Sequence, residues 1–496
     1  MKSSTSFRQI QAYQWLVLLC AAAGAFAAQP AEEWSALSAQ AAQAYSRGAY
    51  SDSERLFSSA LALAEKFGPQ DDRLATTLAN LGTACRMQGR EGEAEKLYRR
   101  AIDIWRATPD GSPAQMAAAL NNLAGIDRVN ARYTESESLY REAMALHEKE
   151  QGPENAGVAL VLSNLGVVYQ DQGKLDAARQ FYERALDMQQ RVLGSDHPDV
   201  AATLTHLGDI LRRERQFDAA EPLYRRAIAI REKALGPDHP QLSDSLNALA
   251  LLYKAQERYA DAEPLYRRSL QILTQAMGPA HPRVAVTLNN LGQLAAAQGK
   301  YGEAKQLYDH AIAIWEKSAG PDDPDLAPGL SNLALLYSAQ HKYAEADALF
   351  RRAYRIDSAH FGPTHARIAQ DLNNLATVCY ARHQYGQAEE FFQHSIAMYE
   401  RVLGPETPSL ADPLLNLASL YTARQRFAEA VDLYRRGVPL REQTLGADHP
   451  QLAEPLESYA LALRKTEDYA EAEKIEARAT RIRVRLALRA GAAAGQ

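Results

Sequence analysis

Apolar residues along this chain recur with a helical spacing that stops and resumes at a fixed interval. In residues 199–240, Val200, Leu204 and Leu207 lie three or four positions apart, which is the spacing of one apolar helix face. A second set with the same spacing follows over residues 220–230. Because polar residues separate the two sets, the pattern predicts two short helices joined by a turn.

A glycine ends this unit, and an equivalent glycine recurs every 42 residues. Glycine readily takes the left-handed conformation that ends many helices. The ladder consists of Gly68, Gly152, Gly194, Gly236, Gly278, Gly320, Gly362, Gly404 and Gly446, with Asp110 beside Gly111 at the remaining step. Units that recur every 20 to 50 residues or so stack on their neighbours. The sequence therefore predicts an all-α, right-handed superhelical solenoid of about eleven antiparallel helix pairs, with seams near residues 68, 110, 152, 194, 236, 278, 320, 362, 404 and 446.

The repeat resembles a known family in the order of its small and aromatic positions. The Leu207-Gly208 pair, Ala220 and Tyr224 match the signature of the tetratricopeptide repeat. The 42-residue length and the Leu-Gly-Pro-Asp-His-Pro seam resemble the kinesin light chain type of this repeat. The resemblance covers roughly residues 33–484. It implies a scaffold with a concave groove for peptides.

The N-terminal segment has the features of an export signal. Lys2 and Arg8 precede an apolar run, and Ala25-Phe26-Ala27 supplies small residues for cleavage before Ala28. The uncharged run at 15–28 is short for a membrane span. A retained membrane tether is the alternative, and Leu19 disfavours a lipid anchor on Cys20. We predict a signal peptide at 1–27, a linker at 28–32, the solenoid at 33–484 and a tail at 485–496. The mature protein is then periplasmic or secreted.

Composition narrows the function classes. The chain is 46% apolar and 23% charged, as in soluble folded proteins. Its formal charge of −6, or −8 without Lys2 and Arg8, does not favour nucleic acid as the main partner. Cys85 and Cys379 occupy the same repeat position seven repeats apart, which predicts buried thiols and no disulfide. Common catalytic and phosphate-binding motifs are absent. We therefore predict no enzyme activity, no cofactor and no metal.

Most of the chemically suggestive side chains fall in columns at the repeat spacing, and columns of this kind indicate packing. Three tyrosine columns are predicted to be core: Tyr98, Tyr140, Tyr182, Tyr224, Tyr266, Tyr308 and Tyr434; Tyr133, Tyr259, Tyr301, Tyr343, Tyr385 and Tyr469; Tyr169, Tyr253, Tyr337 and Tyr421. The seam histidines are predicted to cap the following helix: His197, His239, His281, His365 and His449. Five acid–arginine pairs at i,i+4 are predicted to lie on the solvated outer face: Glu95–Arg99, Glu137–Arg141, Glu221–Arg225, Glu263–Arg267 and Asp347–Arg351.

Asparagine occupies one position of the first helix in most repeats, just before the second core leucine. The row consists of Asn80, Asn122, Asn164, Asn290, Asn332, Asn374 and Asn416, and His206 and Ala248 interrupt it. In proteins that these repeats resemble, this position faces the concave groove and its amide holds the backbone of a bound peptide. An amide offers both a donor and an acceptor to an extended chain. The alternative is that the row satisfies neighbouring helices within the stack.

A second predicted groove position changes its chemistry along the chain. It is basic in early repeats, at Arg86, Arg128, Arg212 and Lys254, and becomes Ala296, Ser338, Tyr380 and Thr422 later. The adjoining position is Ala255, Ala297, Ala339, Ala381 and Ala423. We expect the N-terminal half to attract acidic segments and the C-terminal half to offer an apolar trough. The paired lysines of relatives that bind chaperone tails are absent, so recognition of a free C-terminal carboxylate is not expected.

Two features break the pattern. Asp127 stands where sister repeats pack tyrosine, so it either pairs with Arg128 or Arg132 or loosens its repeat locally.

The C-terminal segment alternates arginine with apolar residues. We predict that it closes the end of the solenoid, with contact to acidic lipid as the alternative.

The repeat accounts for nearly every residue, and the expected function follows from its surfaces. We predict a scaffold that binds extended peptides or protein surfaces in its concave groove. The alternative is a structural part of a cell-envelope or secretion assembly that meets its partners through the outer faces. An enzyme or a glycan-binding protein is the least favoured class, and the sequence does not predict the oligomeric state.

Overall fold

Helices account for all regular secondary structure in the residues that the computed structural model describes, which are 30–108 and 111–494. The predicted signal peptide, residues 28 and 29 of the linker and the seam residue Asp110 lie outside this part. The helices are α1 (30–46), α2 (Tyr50–Ala64), α3 (Asp72–Arg86), α4 (Glu91–Ala107), α5 (Pro113–Val129), α6 (Tyr133–Gln151), α7 (Ala156–Asp171), α8 (Leu175–Val192), α9 (Pro198–Arg213), α10 (Phe217–Leu235), α11 (Leu242–Ala255), α12 (Tyr259–Met277), α13 (Pro282–Ala297), α14 (Tyr301–Ala319), α15 (Leu326–Ala339), α16 (Tyr343–Phe361), α17 (Ala366–Ala381), α18 (Tyr385–Leu403), α19 (Ala411–Ala423), α20 (Phe427–Leu445), α21 (Ala453–Lys465) and α22 (Tyr469–Ala494). Short 3₁₀ turns at Pro408–Leu410 and Pro450–Leu452 precede α19 and α21.

The chain divides into two units, Met1–Asn164 and Leu165–Gln496, with the boundary inside α7. In each unit an odd-numbered helix packs along the even-numbered helix that follows it, as α3 does with α4 and α17 with α18. This arrangement confirms the predicted all-α solenoid of helix pairs. The right-handed superhelical sense stays a prediction.

The first helices of successive repeats also touch one another. Helix α3 contacts α5 in the first unit, and in the second unit α9 contacts α11, α13 contacts α15, and α17 contacts α19. Among the described helices, no two successive second helices approach each other as closely. The first helices therefore form an inner, crowded layer, and the second helices form an outer, more widely spaced layer.

A close approach of the two helices in each pair holds the repeat together. A Cβ on Gly208 of α9 would lie 2.7 Å from Cε1 of Tyr224 on α10, and Tyr224 is fully buried. Gly166 and Gly292 stand in the same relation to Tyr182 and Tyr308. Because no side chain fits between the helices there, the aromatic ring packs directly on the neighbouring backbone.

The seams behave as the sequence predicts. Gly236 and the other ladder glycines of the described residues have positive φ, for example +94° at Gly236. Nδ1 of each seam histidine accepts a hydrogen bond from the backbone N–H two residues later, at 3.2 or 3.3 Å. This hydrogen bond satisfies one of the free N–H groups of the helix that follows. The prediction that these histidines cap the following helical segment is confirmed for His197, His281, His365 and His449. At His239 the bound N–H belongs to Gln241, directly before α11.

The five predicted acid–arginine pairs of the second helices all form, at 2.6–2.9 Å. A further set of ion pairs, which the sequence did not reveal, links successive second helices at a separation of 36 residues. It includes Arg268–Glu232 and Arg352–Glu316, both at 2.7 Å, and Arg436–Glu400 at 2.5 Å. Exposed pairs of this kind each contribute at most about 1 kcal/mol. Their effect is to neutralise the outer layer.

One of the three tyrosine columns is only partly core. The columns of Tyr98 and Tyr169 are buried or half-buried. The column that begins at Tyr133 lies at the first residue of each second helix, where Tyr301 is 42% and Tyr469 55% exposed. A side chain at this position has the turn on one side and solvent on the other. The prediction that this column is core is therefore wrong for Tyr301 and Tyr469, whereas its other four members are half-buried.

Asp127 is fully buried, and its carboxylate lies 2.7 Å from Nε of Arg132. Arg132 also donates to Glu95 at 2.7 Å, and Arg99 stands 3.7 Å from the same carboxylate. The structure thus selects Arg132 from the two predicted partners. Burial still raises the pKa of Asp127, because the arginines offset only part of the desolvation. The network ties α4 to α5 and the turn that follows it.

The C-terminal helix α22 continues past the predicted tail boundary, since it runs unbroken from Tyr469 to Ala494. Ile482 is buried, and Arg483 forms an ion pair with Glu457 of α21 at 2.8 Å. Arg485 pairs with Asp448. These contacts support the interpretation of the segment as the closing helix of the repeat stack.

A buried pair of carboxyl groups lies between α16 and α17. Asp357 and Asp371 are 3% and 4% exposed, and Arg367 Nε stands 3.5 Å from Asp357. Burial and the neighbouring Asp357 charge raise the pKa of Asp371 to about 8. At neutral pH Asp371 therefore keeps its proton and donates it to Asp357.

We expect Asp371→Asn to stabilise the protein at pH 7.5 by about 1–3 kcal/mol. In the unfolded chain Asp371 loses its proton near pH 3.8, and in the folded chain only near pH 8. The wild type therefore loses stability as pH rises from about 4 to about 8, and the asparagine variant loses less, because Asp357 is then the one buried carboxyl of the pair with a raised pKa. Urea unfolding at pH 5 and pH 7.5 measures the difference. The exposed Asp322→Asn is the control, and an equal gain at both pH values would contradict the assignment.

Candidate functional site

All seven asparagines of the predicted groove lie on the inner layer. They are Asn80 on α3, Asn122 on α5, Asn164 on α7, Asn290 on α13, Asn332 on α15, Asn374 on α17 and Asn416 on α19. Asn80 is exposed, Asn374 is 9% exposed, and the others are half-buried. The inner face of each unit therefore presents part of the row to solvent.

Three of these asparagines donate an amide N–H to an asparagine 43 positions earlier, on the preceding first helix. The pairs are Asn164 with Asn121 at 2.7 Å, Asn332 with Asn289 at 2.9 Å and Asn416 with Asn373 at 3.1 Å. Each bond links two repeats, which agrees with the alternative that the row satisfies neighbouring helices. Each bond uses one amide N–H of the donating asparagine. The amide oxygen and the second N–H of that side chain take no part in it.

The other members of the row differ in their partners. Asn122 accepts a hydrogen bond from Arg86 at 3.3 Å, and Asn374 accepts one from Gln370 at 3.1 Å. Within the described part of the chain, the side chains of Asn80 and Asn290 make no hydrogen bond. The interruption at His206 is filled by stacking on Tyr182, with ring centroids 5.2 Å apart.

The four predicted cations lie at the C-terminal ends of first helices, and Arg86 and Lys254 reach the next repeat. Arg86 reaches from α3 to α5, where a Cβ on Gly125 would lie 3.1 Å from its guanidinium. Lys254 at the end of α11 donates to Gln293 Oε1 of α13 at 2.7 Å. Amide oxygens do not neutralise these charges. The inner face thus keeps a positive charge at both positions.

Arg128 and Arg212 complete the predicted basic column. Arg128 is half-buried in the last turn of α5. Arg212 of α9 stands 3.5 Å from Asp209, and that carboxylate also accepts a hydrogen bond from Tyr224 OH at 2.8 Å. The column therefore divides between the units, with Arg86 and Arg128 in the first and Arg212 and Lys254 in the second.

The predicted apolar trough corresponds to the last residues of five first helices. Ala255, Ala297, Ala339 and Ala423 are exposed there, and Ala381 is half-buried. Two larger apolar side chains on inner helices are also open to solvent, Leu335 of α15 at 52% and Val286 of α13 at 44%. The inner layer of the second unit therefore offers apolar contacts beside its asparagines.

A cleft of about 930 Å³ lies within the second unit. The ends of α7, α9 and α11 form one wall, with Arg212 and Arg213. The segment before α19, the first turn of α19 and the end of α20 form the other, with Glu406, Asp412 and Arg441. The cleft thus joins repeats that are distant in sequence.

The described residues contain no group of three or more histidine, cysteine, aspartate or glutamate side chains suited to a metal ion. None of the helices searched there is both long and apolar enough to cross a membrane. Cys85 and Cys379 are buried free thiols, and burial raises the pKa of each. The inner layer and the cleft therefore remain the candidate binding surfaces of the described residues.

The family model of the tetratricopeptide repeat matches this chain over overlapping segments, 35–107, 115–191, 157–233, 199–275, 241–317, 283–359, 325–401, 367–443 and 409–483. The chain belongs to the tetratricopeptide repeat family. Proteins of this family are general protein–protein interaction scaffolds, and the fold is typically non-enzymatic. The family predicted from Leu207-Gly208, Ala220 and Tyr224 is confirmed.

Two solved structures similar to this tetratricopeptide repeat protein each cover less than half of the chain. BtubC (BKLC) from P. vanneervenii is 24% identical, with 48% of this chain and 93% of that chain covered and a TM-score of 0.37. A putative kinesin light chain from Podosopora anserina with nearly identical TPR-like repeats is 23% identical, with 41% and 97% covered and a TM-score of 0.34. No curated protein matches the chain significantly.

The partners of the asparagine row were not predicted. Asn121, Asn289 and Asn373 stand directly before members of the row, as in Leu-Asn-Asn-Leu at residues 288–291. The doubled asparagine was the available signal, because each doubled repeat precedes one with a single asparagine at the row position. Gln293, the partner of Lys254, carried no such signal.

We expect Asn332→Ala to lower stability by about 1 kcal/mol, because it removes the hydrogen bond to Asn289 between two repeats. Asn290→Ala should change stability by less than about 0.5 kcal/mol, because its side chain makes no hydrogen bond in the described structure. A double-mutant cycle of Asn289 and Asn332 in urea should give a coupling of about 0.5–1.5 kcal/mol. A coupling near zero would show that the pair does not link the repeats.

Proposed function

We propose that this tetratricopeptide repeat protein is an exported scaffold that binds extended peptides or protein surfaces along its inner layer of first helices. The observation that carries the proposal is the chemistry of that layer. The amide groups of Asn290 and Asn332 keep hydrogen-bonding capacity that the stack does not use. They lie on the same helices as the exposed apolar side chains Val286 and Leu335. This combination suits a ligand that offers both backbone and side chains.

The mechanism follows from the geometry of an extended peptide. Such a chain presents a donor and an acceptor at every residue, and an asparagine amide matches both without selecting a sequence. Selection then comes from the side chains of the ligand, which meet alanines at the helix ends or the cations of the basic column. Affinity and selectivity are thus assigned to different inner positions.

The outer layer supports the proposal by contrast. Its acid–arginine pairs lie within the second helices and between them, so its charges are largely neutralised within the protein. Its exposed apolar residues lie mainly on α22, where Val484 and Leu488 are 52% and 69% exposed. Those residues favour a second candidate, a structural part of an envelope or secretion assembly joined through this end and the outer faces.

Export is supported by the sequence of the first 27 residues alone. We expect the protein made in a bacterial host to be recovered outside the cytoplasm, with its N-terminus at Ala28. Mass spectrometry of fractionated cells measures this directly. A mature chain that still begins at Met1 would instead indicate a retained tether or a cytoplasmic protein.

We expect the triple variant Asn290→Ala, Asn332→Ala, Asn374→Ala to lose at least tenfold in affinity for partners that the wild type retains from envelope extracts. The matched control changes Gln271, Gln275 and Gln306 to alanine, since these amides are exposed on second helices. Quantitative pull-down compares the three proteins after circular dichroism shows equal folding. Loss only in the control variant would favour the outer-face assembly, and equal retention by all three would refute the inner-layer proposal.

A further inference from the structure

Two edges of the second unit meet at one end of the cleft. One edge carries Arg215, in the turn between α9 and α10, and Glu257, in the turn between α11 and α12. The other edge is the seam between α20 and α21, with Gly446 and His449. A Cβ on Gly446 would lie 4.0 Å from Nε of Arg215. Repeats that are distant in sequence therefore touch at this point, which we call the edge contact.

The edge contact is made by side chains that lie at the surface. Arg215 and Glu257 are exposed, and His449 is half-buried. The guanidinium carbon of Arg215 lies 5.1 Å from the ring centroid of Phe217, which lines the cleft beside it. Separation of such side chains uncovers little apolar surface, so its cost in free energy is low. The edge contact is therefore suited to open and close without disturbing the core.

His449 holds its seam through a hydrogen bond that requires a neutral imidazole. Its Nδ1 accepts from the backbone N–H of Gln451 at 3.3 Å. This bond caps the 3₁₀ turn Pro450–Leu452, which places the fully buried Leu452 before α21. A protonated imidazole carries a proton on both nitrogens and accepts no hydrogen bond. Protonation of His449 therefore removes the cap of this seam.

The charges that act on His449 from the cleft side oppose its protonation. Burial and then the charge of Arg215 lower the pKa of His449, and Glu257 offsets part of this effect. Arg441 of α20 also lowers it, although Arg441 is itself paired with Asp412. Because Arg215 acts more strongly than Glu257, the edge contact as a whole disfavours an imidazolium at this position.

The acids on the other side of the seam are already paired with arginines of α22. Arg478 forms an ion pair with Glu442 at 2.5 Å and donates to the backbone oxygen of Ala447 at 2.7 Å. Arg485 pairs with Asp448. These contacts fix the seam to the closing helix of the stack. Glu257 is thus the acid that acts on His449, and it belongs to the opposite edge.

We propose that the edge contact is a latch, which holds the two walls of the cleft together at neutral pH and releases them when His449 takes up a proton. In the closed state the pKa of His449 lies below its ordinary value of 6.5. When the edges separate, Arg215 moves away and the pKa returns toward that value. The closed state therefore binds fewer protons than the open one. Its advantage is fully present above about pH 6.5 and is lost as pH falls.

Release of the latch widens access to the inner layer. Gln370 lines the cleft and donates a hydrogen bond to Asn374, a member of the asparagine row. Arg212, of the basic column, lines the same cleft. Opening exposes both positions to a chain that enters between the walls. The latch thus adds control by pH to the inner-layer function, and it opens whether or not a ligand is present.

The test measures one distance across the edge contact in the full chain. Spin labels are placed on Gln216→Cys and Ala447→Cys, which are exposed positions of the two edges, and Cys20 is replaced by alanine. Cys85 and Cys379 are buried, and a chain without the added cysteines checks that they stay unlabelled. Double electron–electron resonance then compares pH 7 with pH 5. We expect the population with the short distance to fall at least about threefold at pH 5.

Two variants separate the latch from a general effect of acid. In His449→Asn the side-chain oxygen caps the seam without taking up a proton, so the short distance should persist at pH 5. Glu257→Gln removes the acid that offsets Arg215, so it should open more than the wild type at pH 5. The matched control His239→Asn changes a seam histidine at the opposite end of α10 from Arg215 and should keep the wild-type response.

A second pair of labels, on Lys174→Cys and Gln216→Cys, lies on turns of one edge and should give the same distance at both pH values. A cross-cleft distance that is equal at pH 7 and pH 5 would overturn the latch. So would an equal change in His449→Asn and the wild type, or a smaller opening in Glu257→Gln. A change of the second distance would also overturn it, since acid would then loosen the repeats themselves.

Discussion

The fold depends on direct contact between an aromatic ring and the backbone of the paired helix. Tyr224 is fully buried against Gly208, and the same relation recurs at Tyr182 and Tyr308. This contact sets the distance between the two helices of a repeat. With that distance fixed, successive pairs stack in one register, and every column of the sequence becomes a line of neighbouring side chains.

Stacking of this kind separates the molecule into two layers with different chemistry. The second helices are farther apart, and long arginine and glutamate side chains bridge them, as in Arg352–Glu316. The first helices are closer, so short amides such as Asn332 and Asn289 bridge them. Short side chains leave part of the inner surface open. The inner layer is therefore where a ligand finds unsatisfied amides and exposed apolar groups.

Buried charge appears where one repeat departs from its sisters. Asp127 replaces a packing tyrosine and is held by Arg132. Asp357 and Asp371 instead share a proton, because burial and the repulsion between two carboxylates disfavour a second negative charge. Lys254 keeps its charge beside Arg212 without an acid of its own. Such groups cost stability in a protein whose repeats otherwise pack well. Each marks a position where packing alone does not explain the residue.

The sequence by itself determined the helix pairs, the glycine and histidine seams, the ion pairs within each second helix and the family, because these follow from spacing within one repeat. It also placed the asparagine row on the first helices. Only the tertiary structure decided which asparagine meets which, that Tyr301 and Tyr469 are exposed, and that Lys254 donates to Gln293. Those facts depend on the direction in which side chains from one repeat extend toward the next. The spacing of residues along the sequence carries no information on that direction.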